Sequence, residues 1–280
     1  MNSIVPVLVT AYNRPDYLLS LLDCLKADKI PLLYIYSDGP KSPEQNEPVI
    51  EVRNICKQID WCEVNLIERD VNLGLGPSVR AAVTEVLTQH ESVIVFEDDL
   101  ICVPGTYNYL VAALSEYRKY ENVMSVTAWT HPNIIPEDIV EQPYFDGKGE
   151  CWAWATWKES WIGMDTHPID MMLKCIAKGI DIKKYGSDLP KLAHQTIEKN
   201  TWAIGWWYLH FLKGGLCMRP PYSMAEHIGW DSRGTTALEE MKVWSNPPLK
   251  PSPKIPDIWP EPIEHSDCLI LWKKSIGDTI

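Results

Sequence analysis

Three consecutive carboxylates, Glu97, Asp98 and Asp99, follow directly on an apolar run in the stretch VIVFEDDLICVPG (93–105). Adjacent ionised carboxylates repel one another, so a chain that ends a buried strand on them needs water or a cation to compensate the charge. As hard oxygen donors they suit Mg2+ or Mn2+. A dication there bridges to a diphosphate and neutralises both the cluster and the charge growing on a leaving group. Such a triplet can also cap the next helix or face solvent. Its place straight after a buried strand favours the metal reading.

The other chemical motifs are mostly exclusions. NLGLGP (72–77) carries glycines but is not GxGxxG, and no GxxxxGK[ST] occurs. The first strand is followed by TAYNRPD in place of a Gly-rich turn, which disfavours a dinucleotide-binding oxidoreductase. No GxSxG elbow is present, and the seven His are too dispersed to suggest a zinc site.

The elements that must position the carboxylates alternate in type. Strands are predicted at 4–11, 32–37, 63–68, 92–96 and 123–129, with helices at 15–27, 47–59, 77–89 and 104–120 between them. Continuous apolar strands alternating with helices imply an α/β fold, a mostly parallel sheet covered by helices on both faces. Ligands of such sheets bind outside the carboxyl ends of the strands. Tyr12-Asn13-Arg14, Ser37-Asp38-Gly39, Arg69–Gly74 and Glu97-Asp98-Asp99 all fall at those ends and should converge on one edge.

Beyond about 140 the pattern changes. A Gly- and Trp-rich stretch (144–161) precedes helices near 168–178, 188–198 and 202–215, a polar loop at 225–236, and a tail (247–262) with seven prolines that no helix can cross. A last helix is expected at 265–277. The organisation expected is a binding half at 1–129, a second half of the same domain at 130–245, and a tail with terminal helix at 246–280. Twelve of thirteen Trp lie at or after position 129, as a Trp-built core or as faces for stacking on sugars.

The net charge of −12 argues against a nucleic-acid partner. Eight scattered Cys without a CxxC pair, and an apolar run at 4–9 too short for a signal peptide or a membrane span, point to reduced thiols in a cytoplasm. Association with the inner face of a membrane stays open.

With these pieces in order, the chain resembles glycosyltransferases of the GT-A fold, bacterial family-2-like and more distantly similar to N-acetylglucosaminyltransferase I. The resemblance runs through PVLVTAYNRPDYL, YSDGP, NLGLGPSVRAAV, VFEDDL, VTAW, CWAWATWKESW, WAIGWWY and EHIGWDSRGT, over roughly 4–236. It implies a metal-dependent, inverting transfer of a sugar from a nucleoside diphosphate, with uridine favoured, to a glycan or lipid-linked saccharide in polysaccharide biosynthesis. It further implies that Ala11, Tyr12 and Arg14 line the nucleotide pocket and Asp38 meets the base. Asn72, Gly74 and Arg80 would lie beside the nucleotide-sugar, and Glu97 and Asp98 would reach ribose or donor sugar. Asp99 would bind Mn2+ or Mg2+ directly, and His227 and Asp231 would belong to a loop over the diphosphate.

One departure matters. N-acetylglucosaminyltransferase I carries a pair of Asp before the helix matching 202–212, one of them the catalytic base, where this chain reads TWAIGWWYL. Displacement with inversion needs a base for the acceptor hydroxyl. The candidates are Glu150, beside the Trp cluster, and Asp146. Two alternatives follow: a sugar nucleotidyltransferase, which usually has a Gly-rich basic signature near the first strand, and a non-catalytic glycan-binding module, suggested by the missing base.

Overall fold

Four strands of the first half, β1 (Val7–Ala11), β2 (Leu32–Ser37), β3 (Glu63–Glu68) and β4 (Ser92–Glu97), lie parallel in the order β3-β2-β1-β4. Every residue of β1 and β2 is buried, as continuous apolar strands require when helices cover both faces. The computed structural model describes residues 4–199, 201–231, 233 and 249–279. The expected polar loop at 225–236 and the start of the proline-rich tail therefore lie partly outside the described residues.

Each strand leads into a helix: α1 (Pro15–Ala27), α2 (Asn46–Lys57), α3 (Leu75–Gln89) and α4 (Thr106–Tyr117). Proline opens α1, where its missing N–H costs no helical hydrogen bond. Before α4, Gly105 adopts φ +96°, so Pro104-Gly105 forms a turn and the helix starts two residues later than the sequence pattern predicts.

The remaining strands are β5 (Leu100–Cys102), β6 (Val123–Thr127), β7 (Tyr144–Asp146), β8 (Trp154–Trp157), β9 (Leu216–Arg219) and β10 (Ala225–His227). The main sheet has eight strands in the order β3-β2-β1-β4-β8-β6-β9-β7, and only β7 and β8 run against the others. β8 is inserted between β4 and β6, so both halves of the chain build one sheet. β5 and β10 form a separate antiparallel pair that brings His227 opposite Leu100.

The helices α5 (Lys158–Trp161), α6 (Pro168–Ala177), α7 (Leu189–Lys199), α8 (Ala203–Lys213) and α9 (Cys268–Ser275) complete the fold. Alternation along the strands divides the core by face. Val7 and Val9 join α1, α2 and α4, whereas Leu8 joins α3, α6, α7 and α8. The second face is Trp-rich: Trp154 stacks on Trp161 and Trp202 at centroid distances of 5.6 and 5.0 Å, and Trp206 tilts against both Trp154 and Trp161. Such pairs add about 0.5–1.5 kcal/mol each beyond the area they bury. These indoles serve the core. The tail is extended, with Trp259 against Tyr109 and Tyr117, and Tyr117 donating to the Pro260 carbonyl at 2.9 Å. Among the described residues, no helix is long and apolar enough to cross a membrane.

One buried histidine makes a stability prediction. His210 on α8 is 0 % exposed; Nδ1 lies 2.9 Å from the Trp206 carbonyl and Nε2 lies 2.9 Å from Ser125 Oγ. With Nδ1 donating and Nε2 accepting, the ring is neutral, and burial pulls its pKa down to about 3. Its folded pKa lies below its unfolded one, so the neutral ring contributes stability above about pH 6.5 that is lost as pH falls toward 3. Urea midpoints of the wild type should fall between pH 6.5 and 4.5, and those of His210→Gln should fall less steeply; equal slopes would refute the assignment.

Candidate functional site

The parallel register carries the strand ends to a common edge. Ala11 pairs with Ser37, Thr10 with Glu97 and Ser37 with Glu68. The ladder then extends into the loops: Asp38 N donates to the Ala11 carbonyl at 3.0 Å, Asp98 N to Thr10 at 3.1 Å and Arg69 N to Ser37 at 3.0 Å. Backbone hydrogen bonds therefore fix where each loop side chain begins.

A cavity of about 320 Å3 opens at this edge. Thr10 to Arg14 line it from the end of β1, Asp38 and Lys41 from β2, and Asn72, Gly74, Leu75 and Ser78 from the entry to α3. Glu97 and Asp98 line it from β4, and Glu198, Lys199 and Arg233 come from the second half. The structure thus brings together Ala11, Tyr12, Arg14, Asp38, Asn72, Gly74, Glu97 and Asp98 of the expected residues. Arg80, on α3, is half-buried and outside this lining. Lys41, Ser78, Glu198, Lys199 and Arg233 were not expected. Lys41 stands three residues after Asp38 and Arg233 two after Asp231, spacings that carry no chemical signature by themselves.

Asp38 is buried and oriented by its own chain. Its Oδ2 accepts from Leu73 N at 2.9 Å and Gly74 N at 3.1 Å, while Oδ1 has no hydrogen-bond partner. Asn72 braces the same turn, donating to the Gly39 carbonyl at 2.8 Å and accepting from Gly74 N at 3.1 Å. Gly74 itself sits at φ +76°, a conformation that favours glycine.

The acidic triplet is compensated from two sides. Arg14 Nη2 donates to Asp98 Oδ1, Arg14 Nη1 lies 2.7 Å from Asp99 Oδ2, and His227 Nε2 lies 3.0 Å from that same oxygen. Asp98 also accepts from Tyr12 N at 3.2 Å. Burial raises the Asp99 carboxyl, but the hydrogen bond and charge of His227, together with Arg14, outweigh it and leave Asp99 below the ordinary carboxylate range. Glu97 is different: burial, reinforced by Asp99, pushes its carboxyl up to about 8, and Trp202 Nε1 donates to it at 3.3 Å.

His227 is held by aromatic rings. Trp152 stacks on it at 5.0 Å and Trp230 meets its edge at 4.6 Å. The loop after β10 then closes on the cluster. Ile228 N donates to the Asp99 carbonyl at 2.8 Å, and a Cβ on Gly229 would sit 2.5 Å from Asp99 Oδ2, so only glycine fits. Asp231 accepts from Tyr17 at 2.7 Å and from Arg233, whose guanidinium lines the cavity. Asp99, His227 and Asp231 are thus outside the lining, packed behind Arg14 or beside Arg233.

Whether these residues fit a divalent cation turns on the donors left over. Asp99 Oδ1 is buried without a hydrogen-bond partner, and the His227 imidazole stands beside it. Among the described residues there is no group of three or more ligating side chains. One carboxylate and one imidazole fit Mn2+ or Mg2+ if phosphate oxygens and water fill the remaining positions, the usual arrangement for Mg2+ at phosphates.

Asp146 and Glu150 occupy a different place from the one expected of a base. Both are buried against Arg219, whose Nε lies 2.6 Å from Asp146 Oδ2 and whose Nη1 lies 2.9 Å from Glu150 Oε2. Trp272 Nε1 also donates to Asp146 Oδ2 at 2.8 Å, Lys148 N to Asp146 Oδ1 at 3.0 Å, and Cys151 N to Glu150 Oε1 at 2.8 Å. Neither lines the cavity. Every oxygen of the pair is committed, which corrects the expectation: these carboxylates balance a buried guanidinium and do not face an acceptor.

No family model matches the sequence, and no curated protein matches it. Solved structures do. The mannosyltransferase PcManGT of Pyrobaculum calidifontis, in complex with GDP-Man and Mn2+, is 16% identical over 55% of this chain and 44% of that one, with a TM-score of 0.39. TarS of S. aureus, residues 1–349, is 12% identical over 80% and 60%, with a TM-score of 0.45. GalNAc-T7 with UDP, GalNAc and Mn2+ is 12% identical over 84% and 46%, with a TM-score of 0.47. The chain spans less than two thirds of the length of each.

Proposed function

We propose that this protein is a divalent-cation-dependent glycosyltransferase that moves a sugar from a nucleoside diphosphate, with uridine favoured, to a glycan or lipid-linked saccharide with inversion. The reading places it in polysaccharide assembly, in the cytoplasm or at the inner face of a membrane, with residues 1–129 holding the donor and the second half meeting the acceptor. The observation that carries it is one cavity at the strand ends combining Asp38, several cations and the Glu97–Asp98 edge of the acidic cluster.

In this reading the open Asp38 Oδ1 accepts an N–H of the nucleotide base. Arg14, Lys41, Lys199 and Arg233 supply charge for the diphosphate. Glu97, protonated at neutral pH because burial raises it to about 8, donates a hydrogen bond to a donor hydroxyl. Asp99 and His227 would hold Mn2+ or Mg2+, which neutralises charge developing on the leaving diphosphate. Arg80, outside the cavity lining, supports α3 and has no assigned contact with the donor.

Thermal denaturation tests the donor site. A nucleoside diphosphate at a hundredfold its Kd stabilises the folded state by about 2.7 kcal/mol, a Tm rise of several degrees. UDP or GDP with Mn2+ should give that rise, and EDTA should remove it. A chain unmoved by any nucleoside diphosphate contradicts the donor site; a rise that survives EDTA contradicts the cation.

A further inference from the structure

The glycosyltransferase reading lacks a group to take the acceptor's proton, since Asp146 and Glu150 are committed to Arg219. Four carboxylates line the cavity: Asp38, Glu97, Asp98 and Glu198. Three of them come from the ends of β2 and β4, and each is engaged. Asp38 accepts from two backbone N–H groups, Asp98 from Arg14 and Tyr12 N, and Glu97 from Trp202. Glu198 alone comes from the second half, at the end of α7. It is exposed and makes no hydrogen bond or ion pair with any described residue.

We propose that Glu198 is the general base of this enzyme, resting on the reading above. Its place on α7 supports a role other than helix stability. A carboxylate in the last turn opposes the helix dipole, and the neighbouring Lys199 is the residue type that favours that end. The segment is also anchored to the chemistry. Trp202, four residues on, is buried and donates to Glu97, which ties the α7–α8 junction to the acidic cluster. Glu198 therefore reaches the cavity from the wall that meets an acceptor, while the carboxylates of β2 and β4 hold the donor.

The step balances as a single displacement. The acceptor oxygen forms a bond to the anomeric carbon while its proton passes to a Glu198 carboxylate oxygen. The bond from the anomeric carbon to the β-phosphate oxygen breaks, and its electron pair leaves on the nucleoside diphosphate.

Azide separates a base from a merely structural residue, because it attacks as an anion and carries no proton to remove. The full chain with Mn2+ is given UDP- or GDP-hexoses, and nucleoside diphosphate release is measured with ethylene glycol or with sodium azide as nucleophile. Glu198→Gln should lower release with the glycol by about 10²–10⁴-fold and change azide-driven release, with glycosyl azide as product, by less than about threefold. Glu198→Asp should recover part of the glycol reaction. If both nucleophiles lose rate together, or neither does, Glu198 is not the base. A wild-type chain that cleaves no donor with either nucleophile overturns the glycosyltransferase reading, and this assignment with it. Bound UDP or GDP should raise Tm equally in wild type and Glu198→Gln, and a lost shift in the variant also counts against the base role.

Discussion

Asp99→Ala should lower sugar transfer by about 10³-fold or more and abolish the Mn2+-dependent part of nucleoside diphosphate binding, because it removes the only carboxylate with an uncommitted buried oxygen beside His227. Asp99→Asn separates charge from shape. The amide keeps the size of the side chain but cannot supply the same charge to a dication. The apo protein should survive either change. Arg14 keeps Asp98 as its partner, and the loop after β10 stays anchored by the Asp99 main chain, whose carbonyl accepts from Ile228 N at 2.8 Å. Transfer rate and the Tm rise with UDP or GDP, each with Mn2+ and with EDTA, are the measurements. Unchanged turnover in Asp99→Asn, or turnover that ignores EDTA, would reject the cation site and leave Arg14 as the sole positive group at the cluster.

This expectation was within reach of the sequence because the first half is locally consistent. The runs VLVTA, LLYIYS and SVIVFE are apolar enough to be read as buried strands, and Asp38 and Glu97 stand at or just past their ends. Placement at a strand end is a one-dimensional property, so convergence of Ala11, Tyr12, Arg14, Asp38, Asn72, Glu97 and Asp98 could be inferred without knowing the packing. Arg80 shows the limit of that inference. It lies on the helix after the loop, and which face it presents depends on how α3 meets the sheet.

The second half hid its strands for a physical reason. WATW and LCMR are short, and two of them, β7 and β8, run against the sheet, so no strand–helix alternation marks them. β8 lies between two strands from elsewhere in the chain, and nothing local encodes that insertion. Asp146 and Glu150 were read as open loop residues because their partner, Arg219, is about seventy positions away. Glu198 was passed over for the opposite reason: a Glu on an amphipathic helix is what a solvated face usually carries, and only the cavity distinguishes it.

Arg219→Met should cost about 3–5 kcal/mol of stability, the usual loss when one partner of a buried ionic group is removed. Arg219 is 0 % exposed and shared between Asp146 and Glu150. Burial pulls its guanidinium pKa down, but the two carboxylates more than offset this and keep it charged. Without it, both carboxylates are buried beside no cation that pairs with them. The damage should reach the terminal helix, because Trp272 on α9 bonds Asp146 and lies under the Arg219 guanidinium at 5.2 Å. Amide exchange across Cys268–Ser275 should therefore accelerate. The cause can be isolated by neutralising the survivors. Arg219→Met combined with Asp146→Asn and Glu150→Gln should recover a large part of the loss, since these contacts act as one unit and their effects do not add. Urea denaturation of the single and triple variants measures it. A single variant within about 1 kcal/mol of wild type, or a triple no better than the single, would mean that the group does not hold the fold as its geometry implies. Recovery in the triple would also show that Asp146 and Glu150 can lose their charge once Arg219 is gone, as expected of carboxylates whose task is to balance a guanidinium.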